Sequence, residues 1–273
     1  MGRGRVLGIG LAVVAVAAAG YGAYRLVAGD GSAPPTLTRA TPPASPAEPV
    51  DPKFCAGVSA LDKLLAQAPT DPKLVGPYVA KAVTPTVATI RKAAPGGRMA
   101  PQVDTVLATV EKAATTGDAT AFDSPAFAAA QGAMYPYVAD TCHYQKIEAT
   151  AGDNAFTGIP AQLKAGRSVL MLHNESGKKE YHEIAFVKVT DAEVPLKAFM
   201  AMPEGDAKAM IDPDSYGIGA FAAPGETSGQ VVDLTPGRWV YACFVPAGTT
   251  DAKPGGAGPP HAMAGMYGEV TVR

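Results

Sequence analysis

The sequence predicts an α+β protein built in separate segments: an N-terminal membrane helix, a small helical bundle and a C-terminal Greek-key β-sandwich. Three observations predict it. An uncharged stretch follows two arginines at the start, Leu and Val then recur at helical spacing, and beyond residue 145 short Val- and aromatic-rich runs alternate with Gly and Pro turns. The 273 residues leave room for two compact domains plus extensions. A composition of 47% hydrophobic and 18% charged residues supplies a core and is too apolar for a disordered chain. The net charge is −2 and no run of Lys and Arg stands beside stacking aromatics. That excludes the electrostatic footprint of a nucleic-acid binder.

Taken in order, residues 1–28 hold Arg3 and Arg5 and then 19 uncharged positions from Val6 to Tyr24, about the length that spans a bilayer. Basic residues ahead of the apolar run predict a cytoplasmic amino end, with everything after Arg25 outside. The expectation is a single-pass cell-membrane protein that contacts the membrane through this N-terminal helix. Ala15, Ala17 and Ala19 also offer small-residue cleavage patterns, which would make the chain secreted. Residues 29–50, rich in Pro, Ala, Thr and Ser without an apolar period, read as a solvated linker.

Residues 51–145 read as a helical domain. Val58, Leu61, Leu64 and Leu65 recur at helical spacing, as do Val83, Val87 and Ile90, and then Val103, Val106, Leu107 and Val110. Asp51-Pro52, Asp71-Pro72 and Ser124-Pro125 each place a side-chain acceptor ahead of a proline, the pattern of an N-cap followed by Pro at the first helical position. A four-helix unit follows from these signals. Residues 146–273 read as the sandwich, with strands expected over 168–172, 183–189, 231–234, 238–243 and 269–272, and a short helix near 196–202.

The chain has 3 cysteines. Cys55 opens the first predicted helix and Cys142 closes the last, so a bundle with adjacent termini would join them in a disulfide, as an exported chain permits. Cys243 is then left over. It ends an expected strand, Arg238 to Cys243, and the next strand is preceded by Pro260-His261 and by Met266. Thiolate, imidazole and thioether are soft ligands that select copper, and a His₂Cys plane with a weak axial Met is an electron-transfer arrangement. His182, just ahead of the apolar run 184–189, is the best second imidazole.

On these residues the C-terminal region resembles a cupredoxin, the plastocyanin-like blue-copper family. The shared features are Pro224-Gly225-Glu226-Thr227, Gly237 to Cys243, Pro260-His261 to Met266-Tyr267-Gly268 and Val270-Thr271-Val272, with Asn174 to Gly177 ahead of His182. The resemblance implies a cupredoxin-like sandwich in which His182, Cys243, His261 and Met266 hold one copper. It also implies a redox partner protein, reached through His261. Two features depart from the family. Seventeen residues separate Cys243 from His261 where the family keeps a short loop, which predicts a less preorganised site, and Glu183 stands where an Asn commonly ties the ligand loops together.

Other readings stay open: a metal-free cupredoxin-fold binding or structural module, or a copper buffer or carrier. Met263 is a rival thioether, while His143 and His173 read as surface and Met200, Met202 and Met210 as packing. Enzymatic turnover is not expected. His182-Glu183 lacks the second His of a zinc-protease helix, four histidines are too few for multicopper oxidation, and haem-attachment, phosphate-loop and nucleophile-elbow motifs are missing.

Overall fold

The computed structural model describes residues 50–273 apart from 70–73, 75–76, 117–120, 123 and 254. The first helix, α1 (Pro52–Ala66), starts where Asp51 accepts a hydrogen bond from the Lys53 amide at 2.8 Å, with Pro52 at the first helical position. A π-helical turn over Val79–Val83 leads into α2 (Thr84–Ala93), followed by α3 (Ala100–Thr116) and α4 (Pro125–Thr141). Ser124 caps α4 by accepting from the Phe127 amide at 3.3 Å. Asp71-Pro72 lies outside the described residues. The apolar stripes anticipated from the sequence meet in one core that includes Val58, Val87, Val103 and Val138. Cys55 and Cys142 are disulfide-bonded across a separation of 87 residues, tying the start of α1 to the end of α4.

The membrane reading is corrected here. Among the described residues no helix is long and apolar enough to cross a membrane. The longest, α3 and α4, have 17 residues each, a rise of about 25 Å against a hydrocarbon layer of about 30 Å. Over the described residues the fold is a helical region followed by a β-sandwich. The transmembrane helix, the membrane contact and the single-pass localisation are not retained. The stretch 6–24 on which they rested lies outside the described residues, as does the linker up to residue 49.

The sandwich contains β1 (Gln145–Ala151), β2 (Phe156–Thr157), β3 (Gln162–Leu163), β4 (Gly166–Asn174) and β5 (His182–Val189). Two short helices follow, α5 (Leu196–Met200) and α6 (Glu204–Ala209), and then β6 (Gly219–Ala222), β7 (Thr227–Leu234), β8 (Gly237–Ala242) and β9 (Tyr267–Val272). One sheet runs β2-β1-β4-β7 and the other β3-β9-β8-β5-β6. β1 pairs with β4 in parallel, whereas β4–β7, β5–β8 and β8–β9 are antiparallel.

Two strands are buried on both faces, which explains why they read as continuous apolar runs. In β4, Leu170 and Leu172 enter the sandwich core while Val169 and Met171 join the core of the helical region. In β5, Ile184 and Phe186 face the sandwich core, and Val187 and Val189 meet Phe199 of α5 and Ala207 of α6 on the outside. The helical region thus lies on the β1-β4-β7 sheet, and its Asp62 and Tyr135 reach the middle of β7.

Candidate metal centre

The alternation of β5 that turns Ile184 and Phe186 inward also turns His182 inward, at the end of the strand. Cys243 extends the inward series of β8 one step past the strand end. His261 opens a 3₁₀ turn over His261–Ala264, which Gly265 closes with a φ of 100° that side chains with a Cβ rarely adopt. Met266 follows and is fully buried. Backbone bonds lock these pieces together: Ala262 N to Cys243 O at 2.7 Å, Cys243 N to Met266 O at 3.0 Å and Met266 N to His261 O at 3.1 Å.

The imidazole nitrogens converge on the thiol. Cys243 Sγ lies 3.6 Å from His182 Nδ1 and 3.7 Å from His261 Nδ1, and the two ring centroids are 4.5 Å apart. All three side chains are buried. Burial, with the neighbouring His261, pushes the His182 pKa down to about 4, so its imidazole is neutral and keeps a free lone pair at neutral pH. Burial pushes the Cys243 thiol up, so a metal must displace its proton to bind sulfur.

The long connection between Cys243 and His261 does not loosen the site. Its ends are closed by a bridge between Pro246 and Pro260, by Ala247 N to Pro259 O at 3.0 Å and by His261 N to Val245 O at 3.1 Å. The extra residues leave and re-enter through this neck, so the ligands are held as if the loop were short. Glu183 supplies the second tie. Its carboxylate accepts from the Phe244 amide at 3.0 Å, joining β5 to the residue after Cys243. Burial raises the Glu183 pKa to about 7, an effect the Phe244 amide partly offsets.

Sequence reasoning missed Glu180. Its Oε2 lies 2.7 Å from His261 Nε2, the ring nitrogen facing away from the thiol. Tyr181 beside it latches the long loop, donating from its amide to Thr249 O at 2.9 Å and from its hydroxyl to Asp251. Met263 is 63% exposed and does not share the buried cluster. His173 lies within β4, its Nδ1 2.9 Å from Thr227 Oγ1, rather than in a turn. Met200, Met202 and Met210 pack around the outer core of α5 and α6.

The donor set fits a mononuclear soft-metal site. With bonds of about 2.0–2.1 Å to nitrogen and about 2.3 Å to sulfur, tetrahedral to trigonal coordination sets nitrogen and sulfur about 3.6–3.8 Å apart. The observed separations of 3.6 and 3.7 Å match. Both donor nitrogens belong to neutral-capable imidazoles and the sulfur to a cysteine free of the disulfide. One thiolate with two imidazoles is copper's preferred company.

The C-terminal sandwich has a cupredoxin-like fold. No protein-family model and no curated protein sequence matches the chain. Among solved structures it is similar to auracyanin B at 24% identity and a TM-score of 0.30, over 47% of this chain and 88% of that one. It is similar to auracyanin A, a "blue" copper protein from Chloroflexus aurantiacus, at 22% identity and a TM-score of 0.28, over 47% of this chain and 98% of that one. Rusticyanin from Thiobacillus ferrooxidans matches at 18% identity and a TM-score of 0.29, over 47% of this chain and 78% of that one.

Proposed function

We propose that the sandwich holds one copper ion through His182, Cys243 and His261, with Met266 as a weak axial ligand, as a non-catalytic copper-holding protein. The observation that carries this reading is the convergence of two Nδ1 atoms on one buried sulfur at 3.6 and 3.7 Å. Copper bound there would supply one-electron redox chemistry. The chain's own part is to exclude water, present the two imidazole Nδ1 atoms and release the Cys243 proton to solvent on binding.

Closure of the site favours holding over rapid exchange of electrons. His261, expected as the route to a redox partner, is only 1% exposed, and its outer nitrogen meets Glu180 instead of solvent. Electron transfer through the Cys243 thiolate is the second reading, favoured by the His₂Cys donor set itself. The disulfide suits an oxidising, extracytoplasmic compartment.

Titration of the purified chain with Cu(II) tests these readings. One equivalent bound with an intense visible thiolate-to-copper band, lost in Cys243→Ser, is the expected outcome. Reversible reduction of the bound copper at a rate independent of small-molecule access would add electron transfer. Absence of copper uptake would leave a metal-free module.

A further inference from the structure

We propose that Glu180 is the positioning residue of the site: its carboxylate fixes His261 in the tautomer that offers Nδ1 to the metal and shuts water out from the ring's far edge. This rests on the copper-holding reading above. A carboxylate accepts hydrogen bonds, so at 2.7 Å from Glu180 Oε2 the Nε2 atom of His261 must carry the hydrogen. In a neutral imidazole Nδ1 is then the lone-pair nitrogen, and it is Nδ1 that faces Cys243 Sγ.

Glu180 is itself held. Its carbonyl accepts from Asn174 Nδ2 at 2.9 Å, and the same buried amide group donates to Ala222 O at 2.9 Å. The next residue, Tyr181, is bound to Thr249 and Asp251 of the long loop. Asn174 also accepts from the Ser176 amide at 3.0 Å, so the turn between β4 and β5 cannot drift away from His261. The carboxylate, its side chain 12% exposed, sits between His261 and solvent.

His182 shows the contrast. Its Nε2 is buried and has no hydrogen-bond partner among the described residues. One imidazole is therefore oriented by a carboxylate and the other by its place at the end of β5. A carboxylate hydrogen-bonded to a ligand imidazole raises the basicity of that ligand and adds negative charge near the ion, which favours Cu(II) over Cu(I).

The test compares the intact chain with Glu180→Ala and Glu180→Gln. In the metal-free chain, nitrogen NMR of His261 is expected to show a single Nε2-protonated tautomer with a hydrogen-bonded ring proton. In Glu180→Ala that proton should exchange rapidly and both tautomers appear. Cu(II) affinity, measured in competition with a chelator, should fall about 10- to 100-fold in Glu180→Ala. Glu180→Gln, whose side-chain oxygen still accepts, should recover part of that loss while the reduction potential rises. Unchanged tautomer and affinity in Glu180→Ala would overturn the role of Glu180 alone. A wild-type chain that takes up no copper would overturn the reading of the site and this inference with it.

Discussion

Asp62 is 4% exposed and meets no cationic partner among the described residues, yet it accepts from the Tyr135 hydroxyl at 2.7 Å and from the Val231 amide of β7 at 2.7 Å. Burial pushes its pKa up to about 7, against the opposing pull of those two bonds. A carboxyl whose folded value lies above its unfolded value near 4 stabilises the fold fully below that value. The contribution declines as pH rises to about 7 and is flat beyond. Each unit of displacement corresponds to about 1.4 kcal/mol, so the decline is on the order of a few kcal/mol. Glu183 and His182 titrate in neighbouring ranges, so the difference between wild type and Asp62→Asn isolates the effect. Urea unfolding from pH 4 to 7 should show wild type losing stability relative to the variant, and a difference constant with pH would refute this account. Residues that stand near one another in sequence were legible: Cys243 and His261 follow in a recognisable order and meet in the structure. Asp62 and Glu180 were not, because their partners lie 169 and 81 residues away and neither neighbourhood carries a pattern that announces it.

Helix α4 reaches β7 only because Gly229 presents no side chain: a Cβ placed there would lie 2.8 Å from the Tyr135 ring. Gly229→Ala must push that ring outward and strain its bond to Asp62. An overpacking loss of about 1–3 kcal/mol is expected in chemical denaturation, and a neutral result would mean that α4 rides freely over the sheet. The disulfide acts at the same scale. Closing a separation of 87 residues stabilises by about 4 to 5 kcal/mol in the chain-entropy account, and Cys55→Ser with Cys142→Ser should lose about 2–5 kcal/mol in the same measurement. Helix identity was legible through the 3.6-residue period and the Asp51 and Ser124 caps. Strands β4 and β5 were legible as runs, but not which residues face which core, since a strand apolar on both sides has no alternation to read. β2 and β3 have 2 residues each and leave no periodic trace, so one edge of each sheet was missed. The neck at Pro246 and Pro260 was also hidden: a Gly- and Pro-rich connection looks slack until its ends are seen to pair.

At the scale of the molecule, the helical region and the sandwich share a core across one sheet. Val169, Met171 and Val231 of the sandwich are buried among helical residues such as Val58 and Val138. Asp62 adds a buried polar bond across the same surface. The small cavity of about 60 Å³ between the two regions is lined by Asp62 and Tyr135 on one side and by Glu183, adjacent to a proposed ligand, on the other. Splitting them would expose an apolar strip of β4 and β7, which is unfavourable by itself. The two regions should therefore unfold together. Trp239 is the only tryptophan and lies in the sandwich core, whereas most helical circular dichroism arises from α1 to α4. Followed by these two signals, denaturant unfolding of the intact chain should give coincident transitions. Cu(II) at a hundredfold excess over its dissociation constant should move both by the same amount, about 2.7 kcal/mol, although every proposed ligand belongs to the sandwich. If the fluorescence transition shifts with copper while the helical signal stays where it was, the shared surface is a contact without coupling. The helical region would then be an independent passenger on the sandwich.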